Sequence, residues 1–174
     1  MCTNFFWNVL SSNSSTIIAL CALLLTVWQA FVTRKHNKLS VKPYLTTWSN
    51  VVSNKGFYQV EILNNGIGPA LIKTFQVFVN GNKIVGQESE LMDKAIRMLF
   101  SNHHYDAYNS FLSKGYMMSA NDKHALIRIQ FLEPTIPKFE DVELASKKLR
   151  IVIEYESIYN QTQMYDSDNY RILN

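Results

Sequence analysis

No acidic or basic side chain occurs in residues 1–33, and Arg34, Lys35, Lys38 and Lys42 then arrive within a few positions of one another. Between the two zones runs the apolar stretch Ile17–Val32. A helix built from it has no polar face to turn toward water, so the pattern predicts one membrane-spanning helix with a basic stop. Lys and Arg in short flanks are retained on the cytoplasmic side. The expected topology is therefore N-terminus outside and residues 34–174 in the cytoplasm. A secretory signal peptide needs a charged segment ahead of its apolar stretch, and here the charges follow it.

Residues 17–32 give ~24 Å of helix at ~1.5 Å per residue, against a hydrocarbon core of ~30 Å. Extension back through Ser14 and Ser15 makes a span of about 14–33. Phe5, Phe6 and Trp7 then sit at the outer interface, and Trp28 lies near the inner end, as aromatic belts prefer. Thr26 and Gln29, three apart, form a polar face on the inner half. An amide in lipid seeks a hydrogen-bond partner on another helix. A short span with such a face points to a small homo-oligomer, with Thr26 and Gln29 toward the bundle axis. The basic segment 34–43 reads as a juxtamembrane linker.

The remainder, 44–174, reads as one soluble domain. Four of the 17 Lys and Arg flank the span, which leaves 13 against 14 acidic residues. A long polyanion requires a basic stripe, so long nucleic acid is excluded as a partner. Cys2 and Cys21 lie in the N-terminal segment, and the domain has no cysteine, as a reducing compartment permits.

Alternation predicts strands at 44–52, 57–63 and 70–80, with Asn80-Gly81-Asn82 as a tight hairpin turn into Lys83-Ile84-Val85. The period then changes. Leu91, Ala95, Met98 and Leu99 share one helical face over Gln87–Ser101, widened by Met92 and Ile96. A second short helix is expected from Tyr105 to Ser113, stopped by Lys114-Gly115. Strands resume at 116–119, 124–132 and 149–155, with 163–172 as a closing strand and 133–147 as a loop. The fold class is α+β: one N-terminal transmembrane helix followed by a mainly antiparallel β-domain with a two-helix insertion.

Enzyme signatures are absent. The histidines are His36, His103, His104 and His124, with no metal-binding spacing among them. There is no nucleophile elbow and no phosphate-cradling Gly-Lys-Ser loop. Asn65-Gly66-Ile67-Gly68-Pro69 reads as a turn, since Pro69 lacks a backbone donor where a phosphate nest needs one. The chain is expected not to be an enzyme and to hold no metal and no cofactor. Candidate ligand-binding residues remain: Lys73 on an otherwise apolar strand face, His103 and His104 at the junction of the expected helices, Lys123 in a turn, and Arg128 on a polar strand face. Each also has an ordinary reading: a snorkelling lysine, a polar inter-helix turn, a simple turn, and an arginine paired with a carboxylate such as Glu154.

The segments His36–Pro43 and Asn65–Ala70 resemble those of small bacterial single-span proteins with a β-rich cytoplasmic domain. The overall plan, a short anchor and a near-neutral domain, also resembles the CRISPR-associated membrane effectors of type III systems. That resemblance implies an antiviral effector in the bacterial inner membrane. Its cytoplasmic domain would sense a cyclic oligoadenylate, with cyclic tetra-adenylate favoured, and a tetramer would perturb or open the bilayer. Four copies of a modest cationic site around one ring bind tightly together. The alternative from another class is a membrane-tethered module that holds a protein partner through an edge of the β-domain.

Overall fold

The computed structural model describes residues 14–52 and 55–171. Phe5, Phe6, Trp7 and Cys2 lie outside these residues. The chain divides into two units after Ser40.

The first unit contains helix α1, Ser14–Ser40, which is long and apolar enough to cross a membrane and buries none of its residues within the chain. The helix continues past the apolar run, so Arg34, Lys35 and Lys38 of the juxtamembrane segment occupy its final turns. Cations there complement the helix dipole. Thr26 Oγ1 donates to the carbonyl of Ala22 at 2.8 Å, which satisfies the hydroxyl inside its own helix.

The second unit is a β-sandwich, and the α+β class holds. One sheet has the antiparallel order β1-β2-β7-β5, where β1 is Leu45–Val52, β2 Phe57–Asn64, β5 Tyr105–Asn109 and β7 Lys123–Phe131. The other has the order β4-β3-β8-β9, where β3 is Ala70–Val79, β4 Asn82–Lys83, β8 Leu149–Glu156 and β9 Thr162–Asp166. The short β6, Met117–Met118, pairs with the start of β3. Alternate residues of both sheets, among them Val60, Ile62, Val77, Ile129, Ile151 and Ile153, meet in one buried core, the pattern of two sheets packed face to face. Asn80 and Gly81 both take positive φ, as a two-residue hairpin turn requires.

Helix α2, Glu88–Leu99, buries Leu91, Met92, Ala95 and Ile96 against this core. Met98, expected on the buried face, is exposed. The second helix of the insertion does not form: Tyr105–Asn109 is strand β5, paired with β7 from Tyr105 opposite Phe131 to Asn109 opposite Ile127. Five residues carry too little periodicity to separate helix from strand, and pairing with a distant segment settles it. The expected loop 133–147 contains helix α3, Phe139–Lys148, which buries only Val142 and Ala145. So narrow an apolar stripe leaves little signal in the sequence. The expected closing strand ends at Asp166, where α4, Ser167–Arg171, begins.

Asn64 is the polar hub of the unit. It is fully buried, and its side-chain amide donates to the carbonyls of Gly68 (2.9 Å) and Ser119 (3.0 Å). Its side-chain oxygen accepts from the backbone N–H groups of Tyr44 (3.0 Å) and Gly66 (3.1 Å). A Cβ on Gly66 would overlap the backbone of 42–44, and one on Gly68 the backbone of Val41. The Asn64–Pro69 loop is thus a dock for the segment that opens this unit.

Candidate functional site

Two irregularities decide where the candidate cations go. The register of β3 against β8 shifts between Ile72 and Thr74. Ile72 and Phe75 both face the core as a result, and Lys73 leaves the apolar face the sequence assigned to it. Its ammonium pairs with Glu156 at 2.7 Å on the outer side of the β4-β3-β8-β9 sheet. A second shift lies where β7 passes Val60 and Glu61 of β2. It turns His124 inward, stacked on Tyr116 with ring centroids 5.2 Å apart.

On β7, Lys123 lies opposite Leu63, and Arg128 opposite Gln59 on one side and Tyr108 on the other. Both cations therefore share the outer face of the β1-β2-β7-β5 sheet. They stand four positions apart along β2, about 13 Å at strand rise. The guanidinium of Arg128 has no hydrogen-bond or ion-pair partner among the described residues. Glu154 cannot serve, because it lies opposite Thr74 on the outer face of the other sheet. Tyr108, directly across from Arg128, is 65% exposed.

His103 and His104 lead into β5. His103 sets its ring edge-on to Phe100 and Phe131, with centroids 6.2 and 5.8 Å away. Its Nδ1 is buried without a hydrogen-bond partner. The backbone N–H of His104 donates to Thr135 Oγ1 at 2.7 Å. Both histidines line a cavity of about 680 Å³ between α2 and β5, together with Asp93, Arg97, Tyr105 and Ala107. Asp93 and Arg97 are joined at 2.9 Å across one helical turn. Burial and the neighbouring Asp93 carboxylate push the Tyr105 phenol above its ordinary pKa.

The structure brings His103 and His104 together at this cavity. It sets Arg128 across from Tyr108 on the outer face of the sheet, four strand positions or about 13 Å from His104. Lys73 is left on the other sheet and Lys123 at the start of β7. Sequence reasoning missed Tyr108, whose place across from Arg128 depends on β5 being a strand, and Arg97, which meets the histidines only through the packing of α2 beside β5. A further cleft of about 650 Å³ between β1 and α3, lined by Thr47, Ser49, Ser146 and Ser167, gathers none of the candidate cations. Space in front of Gly66 and Gly68 is filled by the chain's own backbone, so that loop has no room for a phosphate. Among the described residues no group of three or more His, Cys, Asp or Glu is placed to hold a metal ion.

No family model and no curated protein matches the sequence. Among solved structures, the archaellum periplasmic stator protein FlaG from Sulfolobus acidocaldarius is similar at 13% identity and a TM-score of 0.22, covering 72% of this chain and 99% of that one.

Proposed function

We propose that this protein is a binding protein, not an enzyme: a bilayer-anchored module that holds a protein partner at the β5 corner of its sandwich. In this reading α1 spans the bacterial inner membrane, with the N-terminus outside and the sandwich in the cytoplasm. The charge asymmetry about the apolar run supports that orientation. The observation that carries the reading is the contrast between dispersed cations and an open strand. Lys73 is neutralised by Glu156, and Lys123 stands apart from Arg128, whereas β5 ends its sheet beside a cavity. Edge strands with an adjoining groove are a recurring mode of peptide recognition.

Site-specific photo-crosslinking in cells tests this. A photoreactive amino acid at Ala107 is expected to give a discrete protein adduct, and one at Met164, exposed on the opposite sheet, is not. Loss of that contrast overturns the reading.

A second reading keeps the membrane effector gated by a cyclic oligoadenylate, supported by the unpartnered Arg128 across from the exposed Tyr108. A base stacked on the phenol would bring a phosphate to the guanidinium. A homo-tetramer would repeat that pair around the ring. Thermal melting of the full chain in detergent micelles with cyclic tetra-adenylate, larger rings and cyclic dinucleotides separates the two. The effector reading expects a shift of several degrees with one ring, abolished by Arg128→Ala. The protein-partner reading expects none.

A further inference from the structure

The backbone of β5 can be assigned group by group. Leu132 N–H donates to the carbonyl of His104 at 2.8 Å, and Ser110 N–H donates to the carbonyl of Leu126 at 3.0 Å. In an antiparallel ladder the groups facing the partner alternate. With the register of β5 on β7, Asp106 and Tyr108 also turn their N–H and C=O toward β7. Those of Tyr105, Ala107 and Asn109 therefore point off the end of the sheet.

Natural edges are guarded by extreme shortness, by charged side chains (Lys above all), by Pro, by a bulge or by a covering element, and of these the five-residue β5 carries one charge, Asp106. The segment Tyr105-Asp106-Ala107-Tyr108-Asn109 has no Lys and no Pro, and it pairs with β7 in unbroken register. Ala107 is exposed and lines the cavity between Tyr105 and the α2 residues Asp93 and Arg97. On the opposite face, Asp106 is exposed and has no ion-pair partner among the described residues. Arg128 lies diagonal to it and is not bonded to it.

From this geometry we infer that β5 is a strand-addition site for an extended peptide segment of a partner protein, an inference that rests on the protein-partner reading above. The added strand runs antiparallel to β5 and bonds the outward groups of Tyr105, Ala107 and Asn109. Across from Ala107 it carries a bulky apolar side chain, which enters the cavity over Phe100 and Leu132. Its neighbour, across from Asp106 on the other face, is Lys or Arg, since opposite charges on facing strands attract. Main-chain bonds supply affinity and the two side chains supply specificity.

The probe is a displayed library of short random peptides, selected on the full chain in lipid nanodiscs against empty nanodiscs. Enriched peptides are expected to place Leu, Ile or Phe beside Lys or Arg. Ala107→Pro removes an outward N–H and leaves the β7 ladder intact. It is expected to weaken the best peptide by about tenfold or more, and Asp106→Lys does the same for basic peptides. Lys73→Met, on the other sheet, leaves binding unchanged. Hydrogen exchange at 105, 107 and 109 slows when peptide is bound.

Peptides that bind both β5 variants undiminished, or a library with no enrichment, overturn strand addition. An Ala107 photo-adduct that persists in cells under either result leaves the protein-partner reading standing, so the two failures are distinguishable. Self-association without peptide that Ala107→Pro abolishes reassigns the edge to a second copy of this chain and overturns the inference.

Discussion

Asn64 and Gly68 are joined by a 2.9 Å hydrogen bond from the buried amide to the glycine carbonyl, and this bond shapes the loop onto which Val41–Tyr44 is laid. Asn64→Ala strands the backbone N–H groups of Tyr44 and Gly66 and the carbonyls of Gly68 and Ser119. Orphaned buried groups cost about 1–3 kcal/mol each before relaxation. Asn64→Ala is expected to destabilise the sandwich by about 3 kcal/mol or more, read by chemical denaturation of the full chain in detergent. A loss under about 1 kcal/mol refutes the hub.

Gly68→Ala tests the same dock by steric means. The added methyl would overlap backbone atoms of Val41, which cannot swing away as the end of a side chain could. Densely packed backbone does not yield a full atom's width. The variant is expected to fail to accumulate as folded protein. Gly81→Ala has open space around its Cβ but a positive φ, so it costs only about 1 kcal/mol.

Arg150 grips Asp166 through two hydrogen bonds, 2.9 and 2.6 Å, and ties β8 to β9. These bonds hold the Asp166 carboxyl below its ordinary pKa, outweighing the burial that would raise it. A lowered folded-state pKa stabilises the fold above the unfolded carboxylate range, and that stability is lost as pH falls through the range toward the folded value. Asp166→Asn is expected to cost about 1–2 kcal/mol at neutral pH, tempered because Arg150 is partly exposed. The gap from wild type should close below about pH 4. Melting at several pH values checks it, and a gap independent of pH argues against the assignment.

Within α1, Thr26 and Gln29 are expected to behave differently. Thr26 spends its hydroxyl proton on Ala22, so Thr26→Val should leave self-association in micelles unchanged. Gln29 has no partner among the described residues, and an interhelical bond through it contributes about 1 kcal/mol. Gln29→Leu should weaken self-association measured by energy transfer between labelled copies. Equal effects of the two substitutions would contradict the assignment of the interhelical bond to Gln29 alone.

Lys73 is expected to act structurally and only weakly. It is half-buried and paired with Glu156, so Lys73→Met should change stability by under about 1 kcal/mol. Partner adducts and nucleotide responses should be unaffected. A nucleotide response lost in Lys73→Met but kept in Arg128→Ala would move the site to the other sheet.

What could be read without a fold depends on residues close together in the chain. The charge-free stretch ahead of Arg34 marks an apolar helix whatever follows it. Alternation over 57–63 and 149–155 marks strands because side chains switch faces at every residue. Asn80-Gly81 marks a hairpin because both positions accept positive φ. The turn at Asn65–Pro69 is legible from its two glycines and Pro69, and its role as a backbone dock is not, since Val41 is distant in sequence.

Long-range pairing settled the rest. Tyr105–Asn109 is a strand because β7 is there to receive it, and α3 forms because Val142 and Ala145 find a core prepared by other segments. Lys73 and Lys123 leave the candidate site, His103 and His104 meet Arg97 at one cavity, and Tyr108 comes to lie across from Arg128, because of register, bulges and strand order. These are properties of pairs of segments, so no window of neighbouring residues contains them. Local chemistry therefore names the elements, and only pairing across the chain determines which side chains share a surface.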